Sequence, residues 1–127
     1  MLNLNSILLS SDKPRRLIEF YEKVLEKKSV DWGEGDWGGF EIGNSWLTIG
    51  PHDKVKGNAK EPERMMFNFE ASDVPREFDR IKALGAKVIA DPYQPEQEQD
   101  MWIATFQDPD GNYFQLMTPF EGTPSAD

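Results

Sequence analysis

Two stretches of the chain each have the pattern of a short strand followed by a helix. Residues 5–10 and 66–71 are short and rich in apolar side chains, and in the second Phe67, Phe69 and Ala71 occupy alternate positions, as in a strand with one buried face. Each stretch is followed by apolar positions three and four residues apart, which predicts a helix with one buried side. These positions are Leu17, Phe20, Tyr21, Val24 and Leu25 in the first half and Phe78, Ile81 and Leu84 in the second.

A repeated motif marks where the two helices begin. SDKPR at residues 11–15 recurs as SDVPR at residues 72–76, which is 61 residues later. Asp12 and Asp73 stand where a helix N-cap is preferred, a proline follows in each first turn, and Gly85 supplies a C-cap for the second helix. The repeat predicts that the two halves are copies of one unit.

Each half continues as short strands separated by turn residues. The predicted strands lie at residues 38–42 and 45–49 in the first half and at 87–90, 101–106 and 113–117 in the second. A Gly-Asn corner stands at Gly43 and again at Gly111, where both residue types tolerate the backbone of a tight turn. The second half is longer by about seven residues, which we place in the loop at residues 91–100.

Composition and charge exclude several classes of function. The net charge is −9, from 23 acidic and 14 basic residues, and such a surface repels nucleic acid and anionic lipid. Cysteine is absent, which excludes a disulfide framework and a thiolate metal site. No apolar run approaches the roughly 18 residues that a membrane span needs. We expect a cytoplasmic protein without nucleic-acid or membrane partners.

These features together resemble the vicinal oxygen chelate superfamily, which includes glyoxalase I, extradiol dioxygenases, fosfomycin-resistance enzymes and bleomycin-resistance proteins. The resemblance covers about residues 4–118 and depends most on the DPDGN turn at residues 108–112. Asp12 after the opening strand and Phe20-Tyr21 late in the first helix also match the family's pattern. It implies an α+β fold in which two tandem βαβββ modules form a curved mixed sheet around a central cleft, and it implies a homodimer.

The implied boundaries follow from the repeat. We expect a single domain at residues 1–120, with module one at about 4–50, a linker at about 51–63 and module two at about 64–118. Residues 121–127 are expected to form a flexible tail.

The resemblance also locates the positions where metal-using relatives hold their ligands. In this chain they fall at Asn5, Met66, Gln115 and either Leu47 or Thr48. First-row metals need imidazoles and carboxylates, which this set lacks, and the single histidine, His52, is expected to be an exposed loop residue. We therefore expect no metal and no other cofactor.

Alternation along the strands indicates which side chains line the implied cleft. Ser6, Leu8 and Ser10 are expected to face the helix. The predicted ligand-binding residues are Asn5, Ile7, Met66, Asn68, Glu70, Tyr113, Gln115, Trp37, Trp46 and Trp102. Trp32 and Trp37 lie in a glycine-rich stretch that either stacks on a planar ligand or forms a hydrophobic contact.

The resulting prediction is a metal-independent protein that binds a small molecule, with sequestration of a cationic or aromatic compound as its most specific form. One alternative is a glyoxalase-like lyase or isomerase, or a dioxygenase-type enzyme, that uses the same cleft. Glu70 is then the candidate general base, because burial in a cleft raises the pKa of a carboxyl group. A second alternative is an interaction subunit without a ligand.

Overall fold

The computed structural model describes residues 1–33, 36–97 and 100–119, and the predicted tail at 121–127 lies outside them. The chain divides into two compact units, Met1–Ala59 and Lys60–Asp127. Each unit contains one of the two predicted modules, while the single domain over residues 1–120 stays a prediction.

Module one contains four strands and one helix. Its elements in chain order are β1 (Ser6–Ser10), α1 (Pro14–Leu25), β2 (Val30–Asp31), β3 (Gly38–Ile42) and β4 (Ser45–Gly50). The sheet has the order β1-β4-β3-β2, with β1 parallel to β4 and the other pairs antiparallel. Gly43, at the corner between β3 and β4, has a φ of 58°, in the region that glycine adopts readily.

Module two repeats this arrangement. Its elements are β5 (Met66–Glu70), α2 (Val74–Ala83), β6 (Lys87–Tyr93), β7 (Ile103–Gln107) and β8 (Tyr113–Met117), preceded by a 3₁₀ turn at Pro62–Arg64. The sheet order β5-β8-β7-β6 matches that of module one, with β5 parallel to β8. The predicted fold class, α+β with two tandem βαβββ modules, is confirmed.

The two helices begin differently, although the same motif precedes them. Asp73 caps α2 as predicted, because its side chain accepts a hydrogen bond from the Arg76 amide at 3.1 Å. The N-cap predicted at Asp12 is wrong. Lys13 holds the N-cap position of α1 without a side-chain bond, and Asp12 instead accepts a hydrogen bond from the Gly57 amide at 2.9 Å.

The structural repeat is therefore one residue shorter than the sequence repeat. The N-cap positions Lys13 and Asp73 are 60 residues apart, whereas the motif recurs after 61. The difference arises because Pro14 is the first residue of α1 and Pro75 is the second residue of α2. Both places suit proline, since neither amide has a partner within the helix.

The core of module one lies between α1 and one face of its sheet. The helix contributes Leu17, Ile18, Tyr21 and Val24, and the sheet contributes Phe40, Leu47 and Ile49, all buried. Ile18 was absent from the predicted helical stripe, and the predicted members Phe20 and Leu25 are only half-buried. The buried face of α1 is thus rotated slightly about the helix axis relative to the face that the sequence predicts.

Aromatic rings form the core of module two. Phe78 of α2 stacks on Phe106 of β7 with ring centroids 5.1 Å apart, and Phe106 stacks on Phe114 of β8 at 5.5 Å. Val74 and Ile81 of α2 are also buried. Leu84, predicted on the buried stripe, is exposed at the end of the helix. Gly85 follows it with a φ of 93°, as expected for a residue that ends a helix.

The DPDGN turn between β7 and β8 is held by one carboxylate. Asp108 Oδ1 accepts hydrogen bonds from the Asp110 amide at 2.9 Å and the Asn112 amide at 3.0 Å, and Oδ2 accepts one from Asn112 Nδ2 at 3.0 Å. Asp108 is buried. The turn is therefore a structural element of module two, as the sequence predicts.

Candidate functional site

The strand register of module one assigns each side chain to one of two faces. A Cβ atom added to Gly38 would lie 3.0 Å from Ile18 Cδ1, so this face of the sheet is the one covered by α1. Residues directly opposite each other on paired strands point to the same face. The helix-side face therefore also carries Ile7, Leu9, Phe40, Leu47 and Ile49. We call the opposite face of each sheet its far face.

The faces predicted for β1 are reversed. Ser6, Leu8 and Ser10 lie on the far face, where the Leu8 side chain is 53% exposed, and not against the helix. Ile7, a predicted ligand contact, lies on the helix side opposite Leu47. Asn5, the other predicted contact, precedes β1 and accepts a backbone hydrogen bond from the Trp46 amide at 2.9 Å. A slip of one residue exchanges the two faces of a strand, which explains both errors.

Three tryptophans gather on the far face of module one. Trp32 and Trp46 have ring centroids 5.4 Å apart at an angle of 42°, and the Trp32 amide donates to the Trp37 carbonyl at 3.0 Å. Trp32 is 49% exposed and Trp37 is 39% exposed. We call Trp32, Trp37 and Trp46 the aromatic platform.

Two glycines make room for the aromatic platform. A Cβ atom added to Gly39 would lie 2.5 Å from two ring atoms of Trp32, and one added to Gly50 would overlap the ring of Trp37. The rings therefore lie directly on the backbone of β3 and β4. An aromatic ring over a strand glycine covers backbone that would otherwise be exposed. The platform is an apolar surface of packed, half-exposed rings, with Trp32 and Trp46 tilted by 42°.

The far face of module two is less aromatic and more polar. The strand register places Met66, Asn68, Glu70, Tyr113, Gln115 and Met117 there, while Phe67, Phe69, Phe114 and Leu116 lie on the helix side. This assignment of faces was predicted for both β5 and β8 and is confirmed. The sequence signal was strong because phenylalanine alternates strictly with asparagine and glutamate in β5.

A cross-strand polar row lies at the centre of that face. Asn68 pairs with Gln115, and Gln115 pairs with Thr105 on β7. Gln115 Nε2 donates a hydrogen bond to Thr105 Oγ1 at 3.0 Å. Thr105 is only 5% exposed and Gln115 is half-buried, so this bond is partly shielded from solvent. We call Asn68, Gln115 and Thr105 the amide row.

The register also shows which positions of module one correspond to the metal-ligand positions that the family resemblance implies in module two. Thr48 lies on the far face of module one opposite Gly39, and Leu47 lies on the helix side, so Thr48 is the counterpart of Gln115. The counterpart of Met66 is Ser6 and not Asn5, since both begin their strands. Within residues 1–33, 36–97 and 100–119, no three histidine, cysteine or acidic side chains are grouped so that they could hold a metal ion.

Three other residues considered in the sequence analysis are Glu70, Trp102 and His52. Glu70 is exposed, so the burial required for the general-base hypothesis is lacking. Trp102 precedes β7, is half-buried, and its backbone amide donates to Thr118 Oγ1 at 2.9 Å. His52 is exposed, as expected, and its Nδ1 accepts a hydrogen bond from the Lys54 amide at 3.1 Å.

The site residues that the sequence prediction missed are Leu8, Thr105 and the two glycines beneath the tryptophans. Gly39 was predicted to lie in a strand, and it is a buried residue of β3, but its place beneath Trp32 was not predicted. The role of Gly39 depends on which tryptophan ring lies over it. That cannot be inferred before the pairing register of β3 and β4 is known. The nearest sequence signal is the close succession of tryptophan and glycine between residues 32 and 39.

Two βαβββ modules, each with a far face that carries side chains suited to ligand contact, define the class of this protein as a tandem-module α+β protein. The chain belongs to the glyoxalase-like domain family, which it matches over residues 6–117. This family places it in the vicinal oxygen chelate superfamily, as the sequence predicts.

Individual relatives agree with this assignment. The metallothiol transferase FosB of Bacillus licheniformis is 27% identical over 120 residues, which are 93% of this chain and 76% of that protein. A glyoxalase/bleomycin resistance protein/dioxygenase family enzyme from Burkholderia phytofirmans has a similar structure, with a TM-score of 0.75 at 17% identity, covering 94% of this chain and 100% of that one. Lactoylglutathione lyase from Agrobacterium tumefaciens gives 0.71 at 20% identity, covering 92% and 93%. The two structures show a shared fold.

Among the residues that the structure describes, no helix has both the length and the apolar character that crossing a membrane requires.

Proposed function

We propose that this chain is a metal-independent small-molecule-binding protein whose aromatic platform contacts a planar, cationic ligand. The observation that carries the proposal is the seating of Trp32 and Trp37 on Gly39 and Gly50, beside Trp46. Ligand sites are predominantly apolar and aromatic, with few polar groups. Half-exposed tryptophans fixed on glycine provide such a surface without needing to be ordered when the ligand binds.

Electrostatics favours a cation on this platform. The faces of tryptophan rings attract positive charge, and a cation over a ring gains about 0.5–2 kcal/mol, depending on its desolvation. Glu41 lies opposite Trp46 on the same far face, and the whole chain carries a net charge of −9. A negative protein raises the local concentration of cationic ligands and repels anionic ones.

The far face of module two carries predicted ligand contacts of its own. Met66 and Tyr113 offer apolar area, and Asn68, Gln115 and Glu70 offer hydrogen bonds. These residues support binding of a compound with both apolar and polar parts. The cytoplasmic location predicted from the sequence stays a prediction.

An enzyme is the second candidate, and the name of one relative favours it. The FosB of Bacillus licheniformis is a metallothiol transferase by name, and it matches 93% of this chain. The side chains of this chain at the corresponding positions weigh against a metal centre, because Ser6, Thr48, Met66 and Gln115 include no imidazole or carboxylate.

Fluorescence titration tests the proposal directly. Proflavine, a planar cation, should quench the tryptophan emission and bind more tightly than anthracene-2-sulfonate, a planar anion. Replacing Trp46 by Leu should weaken proflavine binding roughly five-fold or more, since the stacking and cation–π contacts are lost. Trp102→Phe is the matched control, because Trp102 lies outside the platform, and it should leave the affinity unchanged.

Three outcomes would contradict the proposal. Equal affinity for the cation and the anion would remove the electrostatic argument. An equal loss of affinity in Trp46→Leu and Trp102→Phe would show that the platform is not the contact surface. Stoichiometric Zn, Mn, Ni or Fe in elemental analysis of the purified protein, together with thiol-transfer or lyase activity, would favour the enzyme.

A further inference from the structure

The amide row lies between two cross-strand rows of mixed character. One adjacent row contains Met66, Tyr113 and Gln107, and the other contains Glu70, Met117 and Ile103. The nearest residues on the same face of β8, Tyr113 and Met117, are largely apolar. Polar side chains between apolar neighbours favour binding of a group that forms hydrogen bonds and is attached to an apolar body.

Thr105 fixes the orientation of the central amide. Its hydroxyl oxygen accepts the bond from Gln115 Nε2 at 3.0 Å and is almost fully buried. An amide side chain has two donor hydrogens and an acceptor oxygen, and this bond uses one donor. The Gln115 carbonyl oxygen and one N–H remain for a ligand. A side chain already held by a buried partner loses little entropy on binding.

Asn68 supplies a second amide beside the first. It is exposed, and its side chain has no hydrogen-bond partner within the described residues. Because it lies directly opposite Gln115 in the parallel register, the two amides are neighbours across the strands. Two adjacent amides present hydrogen-bond donors and acceptors together. They therefore suit a ligand group that has both a donor and an acceptor.

Module one lacks an equivalent row. Its counterparts of Asn68, Gln115 and Thr105 are Leu8, Thr48 and Gly39. The Thr48 hydroxyl donates to the Ile7 carbonyl at 3.0 Å, so its proton is already used within β1 and β4. The hydrogen-bonding capacity is therefore specific to module two and does not follow from the shared fold.

We propose that the amide row binds a neutral carboxamide group, with Asn68 and Gln115 as the contacts and Thr105 as the positioning residue. This inference rests on the proposed small-molecule function, concerns module two by itself and names the polar group that its far face takes. A carboxamide can donate to one amide carbonyl and accept from the other N–H. A carboxylate can only accept, and it would also lie near the negative Glu70 on the same strand.

Fragment binding provides the experiment. Benzamide, acetophenone and benzoate share a flat ring and differ in the polar group. For a ligand of this size we expect a Kd on the order of millimolar. Benzamide should bind about ten-fold more tightly than acetophenone, which lacks the donors, and more tightly than benzoate. In ¹H–¹⁵N spectra it should shift the side-chain amide signals of Gln115 and Asn68.

Variants at the row separate contact from positioning. Gln115→Met keeps the length of the side chain, and Asn68→Ala alters an exposed position that tolerates substitution, so at least one folded variant is available. Each should remove most of the preference for benzamide over acetophenone. Thr105→Val should change the Gln115 side-chain amide signal before any ligand is added and weaken benzamide binding, and Thr105→Ser should restore both.

The inference fails if benzamide does not bind, if it binds no better than acetophenone, or if both row variants keep the preference. Proflavine titration of the same samples distinguishes this failure from that of the proposed function. Normal proflavine binding without a benzamide preference would overturn the amide row alone. Loss of platform binding, with the benzamide preference intact, would overturn the role of the platform instead.

Discussion

The end of α1 illustrates how one side chain can fix a local boundary. Glu22 accepts hydrogen bonds from the Ser29 amide at 3.0 Å and from the Ser29 hydroxyl at 2.9 Å. The bond from the Ser29 amide is the main cause of a lowered pKa for Glu22, and partial burial opposes it. The backbone turns here at Glu26, which has a φ of 51°. The carboxylate therefore ties the segment after the helix to its last turn.

This bond predicts a pH-dependent contribution to stability. Because the pKa of Glu22 is lowered on folding, its contribution is complete above the usual value of 4.5 and is lost as the pH falls through the lower value of the folded state. Glu22→Gln should reduce the free energy of unfolding at pH 7 by about 1 kcal/mol. The difference from wild type should shrink below pH 4.5.

Urea unfolding of both proteins at pH 7 and pH 3 measures this effect. Glu19→Gln on the same helix is the control, since Glu19 is exposed and its side chain has no hydrogen-bond partner within the described residues. A Glu22→Gln difference that is constant with pH would show that the carboxylate charge has no part in the interaction.

At the scale of elements, the first strand was harder to predict than its counterpart in module two. In β5, aromatic and polar side chains alternate, so the faces could be assigned from sequence alone. In β1, Ile7, Leu8 and Leu9 form an unbroken apolar run between serines, which fits either assignment. Aligning the two SDxPR motifs then gave β1 the wrong faces, because the motif is shifted by one residue between the modules. Proline is accepted at both the first and the second position of a helix, so the motif does not fix where the helix begins.

The neighbouring glycines of β3 test the assignment of faces. Gly38→Ala would place a methyl group 3.0 Å from Ile18 in the core, and we expect a loss of about 1–3 kcal/mol in stability from overpacking, with little effect on ligand affinity. Gly39→Ala would displace Trp32, whose ring is half exposed and can move away. It should weaken proflavine binding more than it lowers the melting temperature.

Thermal unfolding and fluorescence titration of the two alanine variants distinguish the faces. Because the substitutions are adjacent and chemically identical, differences in expression or flexibility affect both alike. If Gly38→Ala weakened binding and Gly39→Ala did not, the platform would lie on the helix-side face and the register described above would be wrong.

At the scale of the whole molecule, the repeated architecture was predictable and the division of chemistry between the modules was only partly so. The order of elements follows from turn residues and periodicity, which are local signals. Trp37, Trp46 and Gln115 were recognised as candidates because they lie on predicted strands or beside them. The glycine seats and the Thr105 bond depend on which strands pair and in what register, and no single segment of sequence contains that information.

The homodimer implied by the family resemblance is a prediction about the assembly. Light scattering at micromolar concentration should give a mass of about twice 14.6 kDa. Exposed apolar side chains such as Ile89 and Tyr93 on the edge strand β6 offer a surface for such a contact. A mass of 14.6 kDa at every concentration tested would contradict it.

The separation of core and far face has a consequence for protein engineering. Each module is stabilised by its helix-side residues, so far-face positions such as Leu8, Asn68 and Gln115 can be randomised in a combinatorial library with little loss of folded clones. Selection from such a library would change ligand preference one module at a time, aromatic in the first and polar in the second. Codons 39 and 50 should stay glycine, since any larger residue there would collide with Trp32 or Trp37.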